Sequence, residues 1–148
     1  MKRIIFVPLV LVSLMLLAST CREEGHQFIT FKNLSDRDIE VQELWSLTIS
    51  NADSLFQCNI VSLPIPVGSF RQFESVSRVG GWERDFVSLP FIQFLVMDGE
   101  TFDKYNIFID GRRPEGWCDT IRKNVPILYR YRLTLEDLQR MDFTITFP

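Results

Sequence analysis

The side chains in this sequence that could do chemistry are three cysteines, one histidine, three tryptophans and several close pairs of carboxylates. A nucleophilic site needs a base beside its nucleophile. The single histidine, His26, stands in a polar stretch and reads as a solvated linker residue, so a thiol enzyme lacks its usual partner. There is no glycine-rich phosphate loop, no Gly-x-Ser-x-Gly and no Cys/His cluster of the zinc-binding kind. Asp98, Glu100 and Asp103 gather oxygen ligands but lack the Asp-x-Asp-x-Asp-Gly order of a calcium loop, and read as a solvated turn. Glu83 with Asp85, or Glu136 with Asp137, could be posed as the carboxylate pair of a glycoside hydrolase. Glu136 and Asp137, however, fit a helix cap. The expectation is no catalytic residue, no metal and no cofactor; the alternative is a small carbohydrate-active enzyme using paired carboxylates.

What the chain carries at its start bears on everything after it. Lys2 and Arg3 precede an apolar run, Ile4 to Leu17, interrupted only by Pro8 and Ser13. The run is shorter than the roughly 18 apolar residues of a membrane span and fits the central region of a secretory signal. Ala18, Ser19 and Thr20 then lead into Cys21, which together resemble a bacterial lipobox. The resemblance implies that Cys21 is acylated and begins the mature chain; each buried acyl CH₂ contributes about 0.8 kcal/mol to anchoring. Arg22-Glu23-Glu24 directly after it resembles the surface-export signal of Bacteroidetes lipoproteins. The implied location is the outer membrane, held by lipid at the cell surface, with its periplasmic face as the alternative.

With Cys21 assigned to lipid, Cys58 and Cys118 remain, and two cysteines in an exported domain often pair. Trp45 falls on the apolar parity of a strand and reads as core. Trp82 follows Gly80-Gly81 beside Glu83 and Arg84, and Trp117 lies in a polar stretch beside Glu115 and Asp119. An exposed ring next to hydrogen-bonding groups suits a sugar, so Trp82 and Trp117 are the candidate ligand contacts, competing with plain local packing. The chain holds 16 basic and 19 acidic residues, and the leader takes two of the basic ones and no acid, leaving 14 against 19. An acidic domain disfavours nucleic acid and anionic ligands. The candidate partners are the membrane through the lipid, and a neutral glycan or another envelope protein. Asp53-Ser54-Leu55 and Asp119-Thr120-Ile121 resemble a short O-glycosylation motif of the same group of bacteria; a plain turn residue serves equally well at each.

The elements that must position these residues divide as a signal peptide over 1–20, a tether over 21–27 and one domain over 28–148. Thirteen phenylalanines suit a β-rich interior. Phe28 to Lys32 reads as a strand with Ile29 and Phe31 inward, and Asn33 to Arg37 as a turn. Asp38 to Ile49 alternates, with Ile39, Val41, Trp45, Leu47 and Ile49 on one parity and Glu43 as the charged exception. Cys58 to Leu63 and Phe70 to Val76 are possible strands, and Pro64 and Pro66 confine their neighbourhood to an edge or a loop. Phe91 to Met97 is apolar apart from Gln93 and predicts a central strand covered on both faces. Asp98 to Lys104 predicts a turn or one helical turn, Asn106 to Ile109 a short strand, and Asp110 to Lys123 a long polar loop. Val125 to Leu133 alternates, Thr134 to Asp137 forms a capping box for a short helix, and Asp142 to Pro148 alternates again. The fold class is all-β: a two-layer antiparallel sandwich of about seven strands with one short helix before the last, or else a partly open barrel.

Arg130-Tyr131-x-Leu133-Thr134-Leu135-Glu136-Asp137-Leu138-Gln139, Thr144-Ile145-Thr146-Phe147-Pro148, Asn33-x-Ser35-Asp36-x-Asp38-Ile39 and Trp82-Glu83 together resemble a family of small, uncharacterised Bacteroidetes lipoproteins. The resemblance implies a lipid-anchored envelope protein acting as a non-enzymatic binding or structural module, and supplies no catalytic residue.

Overall fold

A computed structural model describes residues 25–45 and 56–148. The signal peptide, Cys21, Arg22-Glu23-Glu24, Leu47, Ile49 and Asp53-Ser54-Leu55 lie outside the described residues. Seven strands form two open sheets: β1 (Phe28–Asn33), β2 (Ile39–Trp45), β3 (Ser62–Ile65), β4 (Phe70–Glu74), β5 (Ile92–Asp98), β6 (Ile127–Leu133) and β7 (Thr144–Phe147). One sheet has the order β4-β1-β7 and the other β3-β2-β5-β6, a β-sandwich not closed into a barrel.

The core between the sheets follows the period-2 pattern of the strands. Ile29 and Phe31 of β1, Ile39 and Val41 of β2, Ile92, Phe94 and Val96 of β5, and Ile145 of β7 all point into it. Phe31, Phe73 and Phe94 meet edge-on or tilted, with centroids 5.0–6.5 Å apart, a geometry that adds to their area burial. Pro64 sits in β3, the edge strand of its sheet, where a missing N–H breaks no ladder.

Three features depart from the predicted sandwich, the least of them that Asn106 to Ile109 forms no strand and Ile109 only bridges Arg112. One strand pair is parallel: β7 lies beside β1 with Phe31 opposite Ile145. β6 runs antiparallel to β5, and the chain crosses to the other sheet through the short helix at the end where β1 begins, so its return is parallel to β1. The second departure is the helix count. Besides the predicted helix, the described residues hold three more. In chain order they are α1 (Gly81–Asp85), α2 (Gly99–Tyr105), α3 (Trp117–Asn124) and the predicted α4 (Leu135–Arg140). α3 replaces the second half of the predicted polar loop. It begins on Gly116 in the left-handed region, with no side-chain cap, and only Trp117 and Ile121 of its residues are buried.

α2 and α3 lie outside the larger sheet and make a third layer. Leu44, Leu95 and Met97 face away from the sandwich core and pack with Phe56, Phe102, Trp117, Ile121 and Val125. That layer is why β5 is buried at six of its seven positions. In β6 the register slips beside Val96 and Met97, which face Tyr129 and Ile127 and leave Leu128 as the extra residue of a bulge. The bulge turns Leu128 to the sandwich core and Ile127 to the outer layer.

Cys58 and Cys118 are brought to disulfide distance, with Cα atoms 5.6 Å apart. The link joins the segment before β3 to the first turn of α3. Gln42 fastens the same segment from the sheet: its amide donates to the Gln57 and Ile60 carbonyls at 2.7 and 2.9 Å and accepts from the Gln57 N–H at 2.8 Å.

Candidate functional site

Most of the residues singled out for chemistry have structural work. Trp82 is fully buried and Trp117 is 5 % exposed. Neither ring can stack on a ligand, which removes both from the candidate contacts. Trp82 faces the sandwich core against Trp45 and Phe86, with centroids 5.7 and 6.4 Å away. Trp117 packs on Phe56 and lies under the Arg113 guanidinium, 3.9 Å from its ring centre. Asp85 accepts from the Ser75 and Ser77 hydroxyls and the Val76 N–H, so its oxygens are engaged.

Glu83 accepts from the His26 backbone N–H at 2.8 Å, and its Oε1 lies 2.6 Å from His26 Nδ1. The His26 ring stacks on Phe143 at 3.9 Å. His26 is therefore half-exposed but packed, not a free linker residue. Asp137 closes the predicted capping box with Thr134, and Asp98 caps α2 by accepting from the Thr101 N–H. These bonds hold both carboxyls below their usual pKa. Among the described residues no three His, Cys, Asp or Glu side chains gather as a metal site would require. Thr120 of the second glycosylation-like tripeptide sits in α3 and donates to the Gly116 carbonyl. The Asn33 amide donates to the Arg37 and Ile65 carbonyls, and its oxygen accepts from Ser35, so that part of the motif is a turn device.

One charged side chain keeps a buried oxygen without a partner among the described residues. Glu43 lies on the inward parity of β2, opposite Phe94, at the open seam between edge strands β3 and β4. A groove of about 440 Å³ opens there, lined by Glu43, Trp45, Asn59, Ile60, Val61, Leu63 and Phe73. Glu43 Oε1 is buried and has no hydrogen-bond partner among the described residues. Burial pushes its pKa up to about 7; a hydrogen bond from Trp45 pulls the other way, and the nearby Asp85 charge adds a smaller push. Glu43 was visible in the sequence only as the charged interruption of an apolar parity, and a single exception in an alternating strand is a weak signal by itself.

The chemistry of the groove is that of one carboxylate and one amide, Glu43 and Asn59, in an otherwise apolar wall. It can take a hydrogen-bond donor or a cation and bury an apolar body against Trp45, Leu63 and Phe73. The nearby Asp85 carboxylate accepts from the Ser75 and Ser77 hydroxyls.

No protein-family model, no curated protein and no solved structure matches this chain.

Proposed function

We propose that this is a lipid-anchored cell-envelope protein acting as a non-enzymatic binding module, and that its binding site is the Glu43 groove. The observation that carries the binding half is Glu43 itself: it lines a groove that is otherwise largely apolar, and one of its carboxylate oxygens is buried without a partner among the described residues. Leaving such an atom unpaired costs roughly 1–3 kcal/mol or more, a cost that a donor from a ligand would remove. The ligand that fits is a small apolar body carrying a protonated amine, because Glu43 is the one charged side chain among the described residues on the groove wall. The anchoring half rests on Met1 to Cys21 and on Arg22-Glu23-Glu24, with the family resemblance in support.

Titration with phenethylammonium, followed by tryptophan emission from Trp45, tests the site. Saturable quenching by millimolar ligand, lost in Glu43→Gln, is the expected result; quenching that survives Glu43→Gln rejects it. Protease treatment of intact cells tests the location. The domain should be removed from the surface, and Glu23→Ala with Glu24→Ala should shelter it. Resistance until the outer membrane is lysed places the protein on the inner face.

A further inference from the structure

We infer that the α1 end of the sandwich is a lipid-facing surface, seated on the headgroups of the membrane that holds Cys21. The inference rests on the anchoring half of the proposed function. Cys21 stands four residues before Gly25, a span of at most about 14 Å when fully extended. Gly25 to Gln27 are not free to lengthen that reach. Trp82 N–H donates to the His26 carbonyl and Ser75 N–H to the Gln27 carbonyl, both at 2.8 Å. A Cβ on Gly25 or Gly81 would strike the backbone of the other strand of this contact. The His26 ring is clamped between Glu83 and Phe143. The lipid is thus tied by a very short leash to one particular end of the domain.

That end carries the right surface. Val76, Val79 and Val87 are 72, 56 and 86 % exposed, and Phe28 is 45 % exposed beside them at the start of β1. Arg78 and Arg84 are exposed among them; of the neighbouring acids Glu83 is held by His26 and Asp85 by serines, while the exposed Glu74 stands opposite Phe28. Exposed valines interleaved with free guanidinium groups suit a bilayer interface, where apolar groups enter below the phosphates that the arginines meet. The opposite end, with Leu34 and Val67, is a strand length away, roughly 20 Å.

The test uses the full processed lipoprotein in phosphatidylethanolamine–phosphatidylglycerol vesicles with brominated acyl chains. Its native thiols are occupied by lipid and the Cys58–Cys118 pair, so a bimane label can be placed at Val79→Cys, Val87→Cys, Leu34→Cys or Val67→Cys. Labels at 79 and 87 should lose most of their fluorescence to bromine, and those at 34 and 67 none. Equal quenching at both ends, or none at 79 and 87, in protein whose mass shows the acyl chains would overturn the inference and leave the anchor intact. A chain without acyl groups would overturn both. Hydroxyl-radical footprinting of the unsubstituted protein gives a second readout: Val76, Val79 and Val87 should be protected on vesicles, and oxidation as ready as that of Leu34 counts against the seat.

Discussion

The space between the two sheets and the layer outside the larger sheet are filled by different means. The inner core is built from strand residues of alternating parity and from aromatic rings that contact one another, and among the described residues its members need no covalent help. The outer core is smaller. Two short helices bury too little apolar surface to hold themselves and the 56–60 segment against the sheet unaided, since chain entropy opposes them at every position. Here the protein adds fasteners: the Cys58–Cys118 link, Gln42 on the 57–60 segment, Arg122 on the Phe56 carbonyl, and Arg113 over Trp117. Where burial is ample the pattern of side chains suffices; where it is thin, specific bonds are added.

The sharpest way to break this contrast is to excavate the inner core. Trp82→Ala should cost about 4 kcal/mol and unfold the whole domain in one transition, measured as a lower midpoint in urea by both far-ultraviolet and tryptophan signals. A loss confined to α1 would show that the inner core is not cooperative.

Replacing both Cys58 and Cys118 by Ser probes the other side. The chain-entropy relation puts the loss at roughly 4 kcal/mol for a loop of this size, as an upper figure. Amide hydrogen exchange should quicken across 99–124 while β1 and β5 keep their protection. Equal acceleration in both would make the two regions one unit.

Glu43→Gln tests an inward strand position of the sandwich that is filled by a charge. In the unfolded chain this carboxyl has its ordinary value of 4.5, and in the folded protein it lies at about 7. Below pH 4.5 both states keep the proton and the position costs nothing on this account. As the pH rises from 4.5 to 7 the unfolded state releases it first, so stability falls, and above 7 the penalty is constant at about 3 kcal/mol. Glu43→Gln should therefore match the parent near pH 4 and exceed it by up to that amount at pH 8, read from urea melts at the two values. An unchanged difference across that range would show that Glu43 is solvated.

The smallest effect belongs to the connection between β6 and β7. Thr134→Ala removes the cap of α4 and should lower stability by about 1 kcal/mol without altering exchange in α2 or α3. A larger loss would mean that α4 helps to hold the parallel β7 in place.

Much of the fold was legible because it rests on local patterns. The alternation in β1, β2, β6 and β7, the apolar run of β5 broken only by Gln93 before Asp98, the edge position of Pro64 and the Thr134 capping box each follow from a few adjacent residues. The site was barely legible. Glu43 appeared as one interruption of a parity, whereas Trp82 and Trp117 carried a stronger ligand signal and were core. A polar flank tells what lies beside a ring along the chain, not what covers it in space. Trp117 is covered by Phe56, 61 positions earlier in sequence.

By itself, then, the sequence determined the β-class of the domain, its turns and its last helix, because backbone geometry and period-2 or 3.6 burial are short-range properties. It also placed Cys58 and Cys118 as candidates for pairing. The tertiary structure alone decided that β7 returns parallel to β1, that a helical layer covers the outer face of β5, that His26 and Gly25 are fastened to α1, and that the seam beside β3 and β4 is left open over Glu43. These depend on which distant segments meet, and that is settled by the packing of whole layers, in which residues far apart along the chain exclude water from one another.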